Sequence, residues 1–230
     1  MRSYPGTVRR ILLPLAAVLV IGLAGCLDPG TGKPPARGAA GVPAYRSSID
    51  TVTAADLGSS WRSGCPVAPS DLRRVRVTYW GFDGQVHTGD LIIRSTEAGH
   101  VASAMKALYD ARFQIQRIHP VQRYGSSDDE SMAANNTSAF NCRRVTGGSS
   151  WSQHSYGTAI DINPVQNPYV TRSGTVLPPA GKPYADRSVK VTGTINRNGV
   201  VRSAFAAIGW EWGGDWTNPK DYQHLSLNDR

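Results

Sequence analysis

The segment Ala159-Ile160-Asp161-Ile162-Asn163 alternates apolar and polar side chains, and it constrains the fold more than any other stretch of the 230 residues. In an extended strand successive side chains point to opposite faces, so Ile160 and Ile162 face a core and Asp161 and Asn163 face the other way. A carboxylate on the polar face of an otherwise apolar strand needs a partner, and a metal is one good candidate. A second alternating run starts at His224, with Leu225 and Leu227 on one face and His224 and Ser226 on the other.

The rest of the chain mixes strands and helices. Val75, Val77 and Tyr79 alternate with Arg74, Arg76 and Thr78, and Gly81-Phe82-Asp83-Gly84 reads as a turn before a return strand from Gln85 to Arg94. Val101, Met105 and Leu108 fall at i, i+4 and i+7, which predicts an amphipathic helix over 97–112. Val201, Phe205 and Ile208 repeat that spacing, and Gly209 is a helix stop. Strand and helix do not alternate regularly, so the pattern predicts an α+β fold, a small antiparallel sheet flanked by helices, rather than a doubly wound sheet. The run Ser126–Glu130 reads as a polar loop together with Asn135 and Asn136; a calcium site on Asp128, Asp129 and Glu130 is the alternative.

At the N-terminus Arg2, Arg9 and Arg10 precede an apolar run from Ile11 to Leu23 that is shorter than the ~20 residues a spanning helix needs. Residues 1–25 therefore read as an export signal. Leu23-Ala24-Gly25-Cys26 resembles the bacterial lipobox, which implies that the signal is removed and that Cys26 is acylated and anchored at the outer face of the cytoplasmic membrane. An ordinary cleaved signal, giving a secreted protein, and an uncleaved anchor are the alternatives. Residues 26–58, rich in Gly, Pro, Ala and Ser, read as the lipidated Cys and a flexible tether, and 59–230 as one catalytic domain. With Cys26 acylated, two cysteines remain in an oxidising compartment, and a Cys65–Cys142 disulfide is expected. The formal charge of +8 suits an anionic polymer or membrane surface. Scattered basic residues, without zinc-finger spacing or a lysine-rich tail, argue against nucleic acid.

His154 lies in a loop rich in Ser and Gly, seven residues before Asp161. Near the other end, Asp221 stands three residues before His224, after the turn signal Asn218-Pro219. Two histidines and one carboxylate are a common catalytic zinc set with water in the fourth position, and a further carboxylate can take a proton from that water. Taken singly, each piece has a plainer explanation. A lone His is more often a structural hydrogen-bonder, and an Asp–His pair at i, i+3 is usually a surface pair.

Together the pieces resemble a known family. Ser152-x-His154-x-x-Gly157-x-Ala159-x-Asp161 is similar to the S-x-H-x-x-G-x-A-x-D signature of the D-alanyl-D-alanine carboxypeptidase family of zinc peptidases, which includes VanY-type and VanX-type enzymes and the L-alanyl-D-glutamate endopeptidases of phage lysins. Asp221-Tyr222-Gln223-His224 matches its second signature, an acidic residue three before a His. CRRVTGGSSWSQHSYGTAIDINPVQNPYV and GWEWGGDW resemble the VanY-like branch, and the similarity runs from about Trp61 to Leu227. The resemblance implies a hedgehog/DD-peptidase-like catalytic domain, with zinc bound by His154, Asp161 and His224 and Asp221 as general base, where many relatives carry Glu. It implies that Arg143, with Arg144 as rival, supports the substrate carboxylate or carbonyl and the oxyanion. Ser152 would contact substrate or bound water, or else cap its own loop. Trp210, Trp212 and Trp216 are core or cleft wall, with Trp212 and Trp216 nearer the site and Trp212 expected against substrate. The expected partners are peptidoglycan stem peptides, cut by a monomer that removes the terminal D-Ala of D-Ala-D-Ala. An L-alanyl-D-glutamate endopeptidase and a non-catalytic wall-binding lipoprotein are the alternatives.

Overall fold

The hairpin expected around Gly81–Gly84 forms the first sheet in the computed structural model, which describes residues 41–228. The signal-like segment and Cys26 lie outside the described residues. Strand β1 (Ser47–Thr51) leads through a short helix α1 (Ala54–Leu57) to β2 (Leu72–Trp80) and β3 (Val86–Arg94). The three strands pair antiparallel in the order β1-β2-β3. Alternation holds in β2, where Val75 and Val77 are fully buried, and Arg76 faces outward onto its cross-strand neighbour Asp90 at 2.8 and 2.9 Å.

Part of the segment expected to be a tether belongs to the folded unit. Residues 47–51 pair with β2 from Ser47↔Val77 to Thr51↔Arg73, and the Tyr45 hydroxyl donates to the Ala102 carbonyl at 2.8 Å. Thr53 and Asp56 form a reciprocal capping box at the start of α1. Polar composition concealed this strand because its burial is low along its whole length; backbone pairing at a sheet edge holds it.

Helix α2 (Ala98–Asp110) carries the predicted apolar stripe, with Val101, Met105 and Leu108 buried against β2. Helix α3 (Asp128–Ala133) replaces the expected polar loop: the Ser127 hydroxyl accepts from the Glu130 amide, and Asp128, Asp129 and Glu130 fill the first turn. Downstream come β4 (Ala159–Asp161), β5 (Tyr169–Val170), β6 (Val176–Leu177), α4 (Val200–Ala206), β7 (Glu211–Trp212), β8 (Lys220–Asp221) and β9 (His224–Ser226). Gly209 ends the helical region of α4 as expected, at φ +81°, a conformation that a side chain disfavours.

The fold is α+β, but its sheet is divided into three. Besides the first, there is a sheet in the order β4-β9-β7 and another in the order β6-β5-β8, all antiparallel. One core joins Val75, Val77, Leu91 and Ile93 to the stripe of α2, to Phe205 of α4, and to Ile160 and Leu225. A smaller core gathers Leu57, Leu72, Ile92 and Phe140 with Cys142. The predicted disulfide is present there, closing 77 residues of chain between Cys65 and Cys142 with their Cα atoms 5.9 Å apart.

Candidate metal centre

Antiparallel pairing places Asp161 of β4 directly opposite His224 of β9. Their outward faces therefore meet, while Ile160 and Leu225, paired one step earlier, turn into the core. His154 reaches the same point from a 3-10 turn, Gln153–Tyr156, that Gly157 closes in the left-handed region at φ +69°. A side chain at Gly157 would also strike the Arg94 amide at 2.8 Å, so the turn needs glycine both for its conformation and for its approach to β3.

The three side chains converge. Asp161 Oδ2 lies 3.1 Å from His154 Nε2, Asp161 Oδ1 lies 3.1 Å from His224 Nδ1, and the two ring nitrogens are 3.3 Å apart. All three residues are buried, and one donor atom from each falls within 4.8 Å of the others. No other set of three His, Cys, Asp or Glu side chains among the described residues meets this condition. The His154 Nδ1–H donates to the Ala139 carbonyl at 2.5 Å, which fixes the ring and leaves Nε2 as the free donor atom. Two imidazoles and a carboxylate, with a backbone carbonyl orienting one ring, fit a zinc ion.

Electrostatics inside the cluster follow from its burial. Burial works against the Asp161 carboxylate, but the facing imidazoles outweigh it and hold the group well below the usual carboxylate range. Burial also disfavours the His154 imidazolium, yet Asp161 leaves that ring above its ordinary value. Asp221 goes the opposite way. Burial, opposed by His224 and reinforced by Asp161, raises its carboxyl to about 7. Its Oδ1 is buried with no hydrogen-bond partner. Gly213 permits this placement, because a Cβ there would meet the Asp221 carbonyl oxygen at 2.6 Å and the Asp221 Cβ at 2.9 Å.

The cluster opens into a cleft of about 770 Å³ whose lining includes Asp128, Arg143, Ser152, Trp216 and Asp221. Arg143 leans on Asp128 at 2.9 Å and donates to the Arg144 carbonyl at 3.3 Å. The Arg143 amide also donates to Ser155 Oγ at 2.9 Å, and that hydroxyl donates to the Arg143 carbonyl at 2.6 Å. Burial holds the Asp128 carboxyl above its usual value despite the guanidinium beside it. Arg144 turns elsewhere, stacking on Trp151 at 3.7 Å, so of the two arginines Arg143 faces the cleft. The Ser152 hydroxyl both lines the cleft and accepts from the His154 amide at 3.3 Å, capping the turn.

Two placements differ from the sequence reading. Trp212 does not wall the cleft. It pairs with Leu225, whose face is the core side of β9, so its indole is buried and its N–H donates to the Tyr222 carbonyl at 2.8 Å. Trp216 takes the wall position instead, with its ring 5.6 Å from that of His224. Asn163 does not share the Asp161 face either. At φ +47° it leaves the strand and braces the loops, donating to the Gln114 and Gly193 carbonyls and accepting from the Gln116 amide.

Asp128 and Ser155 escaped the sequence reading. The acidic run after Ser127 carries the signature of a capped helix start, and a pairing 15 residues apart, from the first turn of α3 to the irregular chain beyond it, leaves no periodic signal. Residues 146–227, which contain His154, Asp161, Asp221 and His224, match the family model described as D-alanyl-D-alanine carboxypeptidase. No curated protein matches the chain. The matched segment, which holds the buried His–Asp–His cluster, is similar to the D-alanyl-D-alanine carboxypeptidase family and supports assignment to the zinc peptidases.

Proposed function

We propose that this metallopeptidase hydrolyses peptide bonds in peptidoglycan stem peptides, removing the terminal D-Ala of D-Ala-D-Ala, with zinc held by His154, Asp161 and His224. The observation that carries the reading is the convergence of three buried donor atoms within 4.8 Å in a cleft that also contains a second buried carboxylate. The DD-peptidase-like fold implied by the sequence is in keeping with small sheets arranged around that cleft. When bound, zinc supplies a Lewis acid for the scissile carbonyl and makes a nucleophile available from water near neutral pH.

The protein's own groups supply the rest. Asp221 accepts a proton at its unpartnered Oδ1 and returns it to the leaving amine, and a carboxyl raised to about 7 suits both transfers. Arg143 presents fixed positive charge where negative charge develops on the carbonyl oxygen. Asp128 orients that guanidinium, and the Ser155 hydroxyl fixes the Arg143 backbone. Trp216 walls the cleft next to His224 and keeps water from that side of the ring. The Ser152 hydroxyl is in place to meet substrate or water once its capping bond is satisfied. The disulfide fits an exported protein, as the signal-like segment and a lipid anchor on Cys26 require.

The test is zinc analysis combined with digestion of defined muropeptides, followed by mass spectrometry. Wild type is expected to carry one zinc and to release a single D-Ala. His154→Ala should lose the metal, and Asp221→Ala should keep the metal and lose turnover by about 100-fold or more. Release of a larger fragment would move the activity inside the stem peptide. Full turnover by Asp221→Ala would remove the general-base assignment.

A further inference from the structure

The cleft lining contains two cations, Arg143 and Arg172, and their surroundings differ. Arg143 is held by Asp128 and the Arg144 carbonyl. Arg172 is exposed, and among the described residues no hydrogen bond or ion pair engages its guanidinium.

The position of Arg172 is nevertheless well defined. β5 pairs with β8 in the register Tyr169↔Asp221 and Val170↔Lys220, so the hairpin carrying Arg172 is bonded to the strand that presents Asp221. Arg172 follows Tyr169 by three residues, at most about 10 Å of extended chain. The turn between β5 and β6 is also braced. The Thr171 amide donates to the Thr175 carbonyl at 2.9 Å, the Gly174 amide to the Thr171 carbonyl at 2.9 Å, and the Thr175 amide to Thr171 Oγ1 at 3.0 Å. Thr171 Oγ1 lies 2.9 Å from Ser173 Oγ, which lies 3.3 Å from Thr175 Oγ1, so exposed hydroxyls tie the turn together. A guanidinium presented by a braced turn needs little further ordering to bind, and its planar fork matches a carboxylate.

We propose that Arg172 receives the free α-carboxylate at the C-terminal end of the peptide substrate, so that the β5–β6 turn selects chain ends over internal bonds. The inference rests on the peptidase reading above. It divides the work of the two cations. Arg143, partly neutralised by Asp128 and tied into the frame, serves the scissile carbonyl. Arg172, with its charge uncompensated, serves the chain end and thereby sets carboxypeptidase over endopeptidase action.

The experiment compares an acetylated Lys-D-Ala-D-Ala peptide with the same peptide ending in a carboxamide, using the full-length zinc-loaded protein. Wild type should prefer the free acid by about 10- to 100-fold in kcat/KM, the range of one charge-assisted contact, with most of the difference in KM. Arg172→Gln should raise KM for the acid about tenfold or more, leave kcat within about threefold and leave the amide unchanged, so that the preference collapses. Arg172→Lys should recover part of it. Zinc content and melting temperature equal to wild type check that the Gln variant is intact. A preference that survives Arg172→Gln, or a wild type indifferent to the amide, overturns the assignment while the peptidase reading stands. A wild type that hydrolyses neither peptide brings down the peptidase reading and this inference together.

Discussion

Asp221 and Asp161 are both buried carboxylates of one cleft, yet their proton affinities are pushed in opposite directions. Asp161 faces two imidazoles, whereas Asp221 keeps one oxygen without any hydrogen bond. Environments that separate two titratable groups in this way mark an acid–base site. The contrast also has a consequence for stability in the metal-free protein. A carboxyl raised to about 7 on folding binds its proton more tightly folded than unfolded. Its contribution is complete below the unfolded value of about 4 and is lost as pH rises toward 7 and beyond. Melting temperatures of metal-free wild type and Asp221→Asn, measured from pH 4 to 8, should therefore diverge. Wild type should lose stability relative to Asn with rising pH, by at most about 4 kcal/mol, and parallel curves would show that Asp221 is hydrated and unshifted.

Among the elements, the disulfide links the scaffold to the site. Cys142 is followed directly by Arg143, its amide donates to the Ser60 carbonyl at 3.0 Å, and its carbonyl accepts from Arg62 at 2.8 Å. The short irregular strand that presents Arg143 is thus fastened to residues 60–65 by a covalent bond and two hydrogen bonds. Replacing both cysteines by serine removes a 77-residue loop closure from the unfolded chain and should lower stability by about 3–5 kcal/mol. If the bond also holds Arg143 in place, kcat should fall in the folded variant while zinc binding is retained. Calorimetry and turnover at a temperature where the variant stays folded separate the two effects. These elements are unevenly legible in the sequence, for physical reasons. Ile160, Asp161, His224 and Leu225 lie on half-buried strands, so a period of two exposes both the ligands and the core behind them. Val101, Met105 and Leu108 do the same for a helix. β1 was hidden because its burial is low throughout and backbone pairing alone holds it. Trp212 and Trp216 differ by four residues and one turn of 3-10 helix, so composition could not say which indole would face His224. The Asp128–Arg143 pair depends on irregular chain folding back on itself, which no local pattern records.

Across the whole molecule, the cluster joins segments distant in sequence. His154 sits in the turn anchored beneath β3, Asp161 in β4, and His224 in β9 next to the C-terminal end of the described chain. A ligand that binds these three residues together binds the folded state and not the unfolded one, so it must stabilise the whole domain. Zinc at 100 times its dissociation constant should add about 2.7 kcal/mol, visible as a melting temperature that climbs with metal concentration. Protons compete with the metal for the same donors. Asp161 holds the His154 ring above its ordinary value, so the metal-free ring takes up a proton more readily than a free imidazole and zinc competes with that proton. The zinc-induced rise should consequently shrink as pH falls from about 8 to 6, and calorimetric titration should record proton release on binding. His154→Ala should abolish both the rise and the release. A rise that persists unchanged in that variant would place the metal elsewhere and leave the His–Asp–His cluster as a buried hydrogen-bonded network.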